Sequence, residues 1–293
     1  MLFRITKAFA TPGPRMLVMV LSPAKTLDMA LAKVATCSQP KFLDEASILV
    51  KELRKLSQTK LKDLLGVSDA IAKLNYDRFK SFVDHAEASA PTDTFKQALL
   101  AFDGPAYKGI QADSFSDEEL AYSQNHLRIL CGLYGILRPL DLIQPYRLEM
   151  GQKLANNRGK DLYAFWSSTL AHELNALFAA EGEKILLNVA SQEYFKSVDL
   201  TALDPSITVV ECIFKDDGKI KSVYAKRARG LMVRFVTTRR VNSVAELKSF
   251  DLEGYTFSAK ESSETSLVFN RSKQSLKRHQ DEVASTTAKR AKK

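Results

Sequence analysis

The hydrophobic and polar positions of the chain separate buried-type strands from amphipathic helices. Continuous apolar runs at residues 16–21 and 184–190 predict strands that are covered on both faces. Apolar positions at helical spacing predict amphipathic helices over 43–56 and 161–180, and the pattern also favours a helix over 91–103. The first half of the chain is therefore expected to be largely helical after its opening strand.

Turn residues organise the second half of the chain. Two apolar segments within residues 209–224 flank Asp216-Asp217-Gly218, which predicts a β-hairpin. A basic helix is expected over about 225–240, followed by short strands at 255–257 and 266–269. Because helices and strands mix without strict alternation, we predict a single α+β domain with a mixed central sheet and surrounding helices.

Residues 125–150 form an unusually apolar stretch that is predicted to be a buried helix up to Leu133. The stretch contains three arginines, which are Arg128, Arg138 and Arg147. Arginine is rarely buried without a partner. Either these side chains pair with carboxylates such as Asp141 and Glu149, or they point into a cleft that binds an anion.

A helical hairpin with an embedded turn is predicted at about residues 59–80. A short helix at 61–65 is broken by Gly66-Val67-Ser68, and a second helix starts at Asp69 with Ser68 as its N-cap. Backbone N–H groups at such a helix start can bind a phosphate without reading a base. The candidate DNA-binding residues here are Lys62, Gly66, Val67, Ser68, Lys73 and Arg78. The pattern resembles the helix-hairpin-helix of DNA repair proteins, although Ser68 replaces its second glycine, and an ordinary helical hairpin is the alternative.

Further candidate residues lie in loops and in the basic helix. Lys25 follows the first strand, where functional groups are frequent, although a plain solvated lysine is the alternative. Tyr107 and Lys108 are expected at the tip of a loop over 104–115. Lys226 and Arg229 belong to the basic helix, which a solvated surface helix would explain equally well.

The net charge of +9 is located at the two ends of the chain. Residues 1–15 carry +3 and residues 271–293 carry +6, which leaves 32 basic and 32 acidic residues in between. Overall basicity is therefore no argument that the body binds nucleic acid. We divide the chain into an N-terminal extension (1–15), a body (16–271) and a basic tail (272–293) that is expected to be disordered.

The sequence contains no recognisable catalytic constellation and no phosphate-binding glycine-rich loop. Its three cysteines are widely spaced and match no metal-ligand pattern, so neither a metal nor another cofactor is expected, and the thiols are interpreted as reduced. No apolar run approaches the roughly 18 residues of a membrane span. These features favour a cytoplasmic protein that is not an enzyme.

Five segments together resemble one family. They are residues 21–27, 133–150, 158–163, 193–198 and 224–232. They are similar to the bacterial peroxide stress protein YaaA family, and the resemblance extends over about 16–271. The resemblance implies an α+β domain of unusual topology with a positively charged cleft. It also implies sequence-independent DNA binding, partly through a helix-hairpin-helix, and a role in limiting damage from hydrogen peroxide and free iron.

The sequence thus predicts a DNA-binding protein of the hydrogen peroxide stress response, acting on duplex or branched DNA. The cleft is expected to contain Lys25, Tyr107, Lys108, Arg128, Arg138, Arg147, Lys226 and Arg229. The alternative is an enzyme acting on DNA or a nucleotide, with Lys25 as an amine nucleophile. The tail would add salt-sensitive affinity or, in a nucleated host, a nuclear localisation signal. The sequence does not determine the oligomeric state.

Overall fold

Seven strands form the central sheet in the computed structural model, which describes residues 15–83, 90–178 and 182–278. In chain order the described strands are β1 (Arg15–Leu21), β2 (Thr26–Leu27), β3 (Lys96–Gln97), β4 (Phe102–Asp103), β5 (Leu127–Cys131), β6 (Gly135–Leu137), β7 (Leu142–Ile143), β8 (Glu183–Asn188), β9 (Ile207–Asp216), β10 (Thr256–Phe257) and β11 (Ser266–Arg271). The central sheet has the order β10-β11-β9-β8-β1-β5-β6, and the remaining strands pair as β2-β4 and β3-β7.

The central sheet is mixed, as predicted. Its five inner strands β11, β9, β8, β1 and β5 run parallel to their neighbours, whereas β10 and β6 pair antiparallel at the two edges. Residues 17–21 of β1 and 185–188 of β8 are buried throughout. Continuous apolar runs suit these positions because helices cover both faces of a parallel sheet. The predicted α+β class and both buried-type strands are confirmed.

Helices surround this sheet. Their bounds are α1 (Leu43–Arg54), α2 (Gln58–Leu65), α3 (Asp69–Ser81), α4 (Ala98–Ala101), α5 (Pro105–Ile110), α6 (Asp117–His126), α7 (Leu162–Trp166), α8 (Thr169–Leu177), α9 (Gln192–Phe195), α10 (Ser222–Arg239) and α11 (Val244–Leu247). None of the helices among the described residues is long and apolar enough to cross a membrane.

Two of these helices, α5 and α10, pack with their backbones in close contact. A Cβ atom added at Gly230 would lie 1.8 Å from the carbonyl oxygen of Ala106, and one added at Gly109 would lie 2.5 Å from that of Arg227. Glycine at both positions therefore allows an approach that no larger residue would permit. This contact fixes the position of two residues discussed below, Tyr107 on α5 and Arg229 on α10.

The prediction of a buried helix up to Leu133 is wrong. Helix α6 ends at His126, and the following residues form the inner strand β5, which pairs in parallel with β1. Short apolar runs do not distinguish a buried helix from a buried strand, because neither has a polar face. Here the strand is favoured since it completes the hydrogen bonding of β1.

The predicted hairpin over 209–224 is also wrong. The turn exists, with Asp217 and Gly218 at positive φ and a single bridge between Asp216 and Lys219. After the turn, however, the chain enters α10 at Ser222 instead of returning as a strand. Strand β9 instead pairs in parallel with β8 and β11.

Three helix and loop predictions need smaller corrections. The helix predicted over 91–103 is reduced to α4, with β3 and β4 on either side. The loop predicted over 104–115 contains α5, which begins at Pro105 because proline is favoured in the first helical turn. The helix predicted over 161–180 is two helices, α7 and α8, separated at Ser167, whose φ is 42°.

The described part of the chain extends beyond the predicted end of the body at Arg271. Residues 273–278 are helical, and the backbone N–H of Lys273 donates to Asp217 Oδ1 at 2.8 Å. The division of the chain at residue 271 and the disorder of the tail stay predictions. The rest of the tail and residues 1–14 lie outside the described residues.

Candidate functional site

The order in which the chain adds strands to the sheet reverses direction at β1. From β1 the chain next enters the sheet at β5 on one side, and it later returns at β8 on the other side. In open parallel sheets, ligands bind outside the carboxyl ends of the strands at such a point, because the two following loops diverge there. A cavity of about 830 Å³ lies at this place. We call it the switch cavity, bounded by residues 21–26 after β1, residues 189–194 after β8, and the first half of α10.

Hydrogen bonds hold the two diverging loops together. The backbone N–H of Ser191 donates to Ser22 Oγ at 2.8 Å, and Ser22 Oγ donates to Ser191 Oγ at 3.2 Å. The hydroxyl of Tyr107 on α5 donates to the carbonyl oxygen of Ser22 at 3.1 Å. The floor of the switch cavity is thus a fixed structure that three separate parts of the chain build.

Five of the predicted cleft residues line the switch cavity. They are Lys25, Tyr107, Arg147, Lys226 and Arg229. Glu149 connects two of them, because its carboxylate lies 2.6 Å from Lys25 Nζ and 3.2 Å from a terminal nitrogen of Arg147. The Lys25 side chain is 59% exposed, whereas those of Arg147 and Glu149 are largely buried. Glu149 therefore connects an exposed lysine and a largely buried arginine that line the same cavity.

Arg229 and Lys226 line the same cavity from α10. Neither side chain makes a hydrogen bond or ion pair with another residue in the part of the chain that the structure describes, and the buried Nε of Arg229 has no hydrogen-bond partner. Burial lowers the pKa of Arg229, while Glu211 opposes this electrostatically without forming an ion pair. These two cations are therefore available to a ligand.

Acidic residues line the switch cavity in equal number. The basic lining residues are Lys25, Arg147, Lys226 and Arg229, and the acidic ones are Asp103, Glu149, Glu193 and Glu211. The resemblance implied a positively charged cleft, but the lining of this cavity has no excess of positive charge. It is a mixed polar site in which some carboxylates already have donors, as when Gly151 N–H donates to Glu193 at 2.9 Å.

Three predicted cleft residues lie elsewhere. Arg138 donates to Asp141 and to the carbonyl oxygen of Gln39. Arg128 is buried within the sheet, where its guanidinium donates to the carbonyl oxygens of Gln124 and Leu127 and burial lowers its pKa to about 10. Lys108 is an exposed residue of α5 that lies 3.4 Å from Asp103. Of the three arginines in the apolar stretch, Arg138 and Arg147 pair with carboxylates, and only Arg147 reaches the switch cavity.

Several lining residues were missed from the sequence. Tyr146 and Tyr194 contribute buried rings, and burial raises the pKa of both phenols. Tyr146 also hydrogen-bonds Cys131 at 2.7 Å, and burial raises the pKa of that thiol to about 11. Position along the chain was the sequence signal that could have found Tyr194, because Tyr194 follows a buried parallel strand in the same way as Lys25 does.

The predicted helical hairpin consists of α2, which ends at Leu65, and α3, which begins at Asp69, with a tight turn between them. Gly66 closes α2 in the left-handed conformation with φ of 62°, and its N–H donates to the carbonyl oxygen of Lys62 at 2.9 Å. Ser68 caps α3, with its hydroxyl accepting from the backbone N–H of Ile71 at 3.5 Å. Val67 packs against the core, and Ala72 is fully buried. Gly66, Ser68 and the first turn of α3 remain exposed.

The basic side chains of this hairpin are largely engaged by neighbours. Lys62 lies 2.8 Å from Asp69, which raises the pKa of Lys62 through a hydrogen bond. Lys73 lies 2.7 Å from Asp77 on the next turn of α3. Arg78 is half-buried, burial lowers its pKa, and it donates to the side chain of Asn75 at 3.5 Å.

No group of three or more histidine, cysteine, aspartate or glutamate side chains that could hold a metal ion occurs among residues 15–83, 90–178 and 182–278. Cys131 and Cys212 are buried thiols.

Comparison with known proteins identifies the family. The family model described as peroxide stress protein YaaA matches residues 16–261. The chain belongs to the peroxide stress protein YaaA family. It is 48% identical over 262 residues to a UPF0246 protein of Burkholderia mallei strain SAVP1. The aligned region covers 87% of this chain and 98% of that protein. A UPF0246 protein of strain NCTC 10229 has the same identity and coverage.

Membership in the YaaA family supports a role in the response to peroxide stress. The matched region contains the α2–α3 hairpin and every residue of the switch cavity named above. It ends before β11, although β11 pairs with β9 inside the central sheet. The structure of this chain thus continues past the region that defines the family.

Proposed function

We propose that this YaaA family protein binds DNA without reading its sequence and thereby limits DNA damage from peroxide and iron in the cytoplasm. The supporting observation is the exposed first turn of α3, which follows the left-handed Gly66. The backbone N–H groups of Asp69 and Ala70 stand at the start of a 13-residue helix and are not capped by Ser68. Such groups, together with the helix dipole, favour an anion such as a backbone phosphate.

The surroundings of the turn are compatible with a flat contact to DNA. Ile71 and Leu74 are 36% and 48% exposed on the same helix. At the other end of the hairpin, Arg54 of α1 donates to the carbonyl oxygen of Phe79 at 2.7 Å, which anchors α3 to the body. The turn is thus exposed at its tip, and the far end of its second helix is anchored to the body.

Asp69 modifies this proposal. Its carboxylate stands in the first turn of α3 and pairs with Lys62, so it repels a phosphate and occupies the nearest cation. Phosphate binding at the turn would therefore be weakened by Asp69, and removal of its charge should strengthen it. This consequence is specific to the hairpin, because a site elsewhere would not respond to Asp69.

The experiment compares three variants in duplex binding at fixed salt. Asp69→Asn should raise the affinity, and Ala70→Glu should lower it, each by roughly two- to fivefold, since a charge at a helix N-terminus contributes about 0.3–1 kcal/mol. Asp117→Asn is the matched control, because Asp117 is exposed and is the first residue of α6, as Asp69 is of α3, but it lies outside the hairpin. Equal effects of Asp69→Asn and Asp117→Asn would refute a phosphate site at the turn.

The alternative of an enzyme that uses Lys25 stays a prediction. Lys25 reaches the switch cavity, which favours a role there, but it is exposed and paired with Glu149. An amine nucleophile has to lose its proton, and burial away from carboxylates promotes that loss. Borohydride trapping on DNA with an abasic site tests the alternative. A covalent adduct that Lys25→Arg fails to form would favour the enzyme over the binding protein.

A further inference from the structure

Two cations on α10 stand out in the switch cavity because no described residue neutralises them by an ion pair. Lys226 and Arg229 are three residues apart, so both side chains project from neighbouring positions on one helix face. Among the described residues, Glu211 is the carboxylate whose charge acts on Arg229, and the two side chains do not form an ion pair. A guanidinium that is mostly buried without a hydrogen-bonded partner is costly. An anionic ligand would remove this cost.

The arrangement favours a phosphate group over a carboxylate. A carboxylate has two oxygens, and one guanidinium can engage both of them. A phosphate monoester has three terminal oxygens and can accept from a guanidinium and an ammonium together. Two neighbouring cations on one helix face therefore match phosphate better than carboxylate.

The rest of the cavity lining suits a polar organic group attached to that phosphate. Lys25, Arg147 and Glu149 form a fixed group of donors and acceptors, and Glu193 adds a further carboxylate. Carboxylates accept hydrogen bonds from hydroxyl groups but repel additional phosphates. The volume of about 830 Å³ lies within the range of about 300–1,000 Å³ that is typical of small-molecule sites. These properties fit one small molecule and not a polyanionic strand.

We propose that the switch cavity binds a small organic phosphate of the size of a sugar phosphate or nucleoside monophosphate. The phosphate lies against Lys226 and Arg229, and hydroxyl groups of the organic part face Glu149 and Lys25. This inference goes beyond DNA binding and does not rest on it, because the hairpin turn and the switch cavity use different residues.

The first experiment is titration calorimetry of the full chain with ribose 5-phosphate, ribose and inorganic phosphate. Ribose 5-phosphate should bind, ribose should not, and inorganic phosphate should bind at least tenfold more weakly than the sugar phosphate. Equal affinity for inorganic phosphate and ribose 5-phosphate would overturn the organic part of the proposal. Absence of binding by ribose 5-phosphate and adenosine monophosphate at millimolar concentration would overturn the site.

Variants on α10 locate the phosphate. Lys226→Gln should weaken ribose 5-phosphate binding by roughly three- to tenfold, and Arg229→Gln by about tenfold or more, because charge-assisted hydrogen bonds are the stronger class. Lys226 is exposed, so its replacement should leave the fold intact even if that of Arg229 does not. Lys221→Gln is the control, since this half-buried lysine stands at the N-cap of the same helix but does not line the cavity.

Two results would contradict the assignment to α10. One is unchanged binding of ribose 5-phosphate by folded Lys226→Gln. The other is an equal loss of affinity in Lys221→Gln, which would show that binding depends only on the overall charge of the protein. The hairpin variant Ala70→Glu separates this proposal from DNA binding. It should leave ribose 5-phosphate affinity unchanged whether or not it weakens binding to DNA.

Discussion

At the scale of single residues, a buried ion network holds the last strand of the sheet. Arg271 in β11 lies 2.7 Å from Asp216 in β9, and both side chains are almost fully buried. Tyr255 donates to the same carboxylate at 3.0 Å, and its ring lies 4.3 Å from the Arg271 guanidinium. Glu253 adds a second carboxylate, 3.5 Å from Arg271. Arg271 is therefore structural, although it lies just outside the region matched by the family model.

Replacement of Arg271 by methionine should lower the free energy of unfolding by about 3–5 kcal/mol, because it leaves the buried Asp216 without its partner. Chemical denaturation measures this change. Arg239→Met removes an exposed arginine that pairs with Asp251, and it should cost less than about 1 kcal/mol. A loss of similar size in the two variants would contradict the structural role of the buried network.

A second residue makes stability depend on pH. His126 is half-buried and stacks on Tyr122, and its Nδ1 lies 2.7 Å from the carbonyl oxygen of Leu17. Burial lowers the pKa of His126 below its ordinary value of 6.5, and the nearby Arg128 and Arg240 lower it further. The unfolded chain therefore takes up a proton at a higher pH than the folded chain does.

Stability should consequently be lost as the pH falls below about 6.5 toward the lower folded pKa of His126. Unfolding free energies measured between pH 5 and 8 test this dependence. His126→Gln should lose less stability over the same interval, since glutamine does not titrate. An identical pH dependence in the two proteins would show that His126 is not responsible.

Residue-scale reasoning from sequence left the arginines of the apolar stretch undecided for a physical reason. Asp141 lies three residues after Arg138, and Glu149 lies two residues after Arg147, so local pairing was feasible in either case. Only the fold shows that Arg138 pairs beside the loop at Gln39, whereas Arg147 pairs inside the switch cavity. The spacing of residues along the chain predicts that an arginine has a carboxylate partner, but it does not predict whether the ion pair lies in a cavity.

At the scale of elements, the contact between α5 and α10 determines the shape of the switch cavity. Gly230→Ala would place a methyl group against the carbonyl oxygen of Ala106 and push the helices apart. We expect the free energy of unfolding to fall by at least about 1–3 kcal/mol, because overpacking a close contact destabilises a fold by that amount. Binding of ribose 5-phosphate should weaken as well, since Lys226 and Arg229 move with α10.

Gly218→Ala provides the comparison for this prediction. Gly218 also sits in a turn next to α10, but an added Cβ would meet no atom within 4 Å, so only its positive φ of 74° opposes alanine. Its effect on stability should be measurable, and its effect on ribose 5-phosphate binding should be absent. Unchanged ligand binding in Gly230→Ala would show that the helix contact does not shape the cavity.

Some elements were predictable from local pattern, and others depended on distant pairing. The strands β1 and β8, the helices α2 and α3 and most of α10 follow from apolar periodicity and N-caps. Strand β5 was mistaken for a helix because its identity depends on pairing with β1, more than a hundred residues earlier in the chain. The start of α5 carried a local signal, Pro105 after Gly104, that the loop prediction did not use.

At the scale of the whole molecule, the distribution of charge separates the body from the tail. Residues 279–293 carry four basic and two acidic residues, whereas the switch cavity is lined by equal numbers of each. The tail alone could therefore supply some salt-sensitive affinity for DNA by releasing counterions. We expect the body to supply most of the affinity, because the hairpin lies within the region that the family shares.

The most direct test of the account measures duplex binding by the full chain and by a chain ending at Arg278, over a range of salt concentrations. Both proteins should bind two duplexes of unrelated sequence equally, since phosphate contacts carry no base information. Removal of residues 279–293 should cost only a modest factor, and Ala70→Glu should weaken the shortened chain further. Near-total loss of DNA binding by a folded chain ending at Arg278 would contradict the account and assign the binding to the tail.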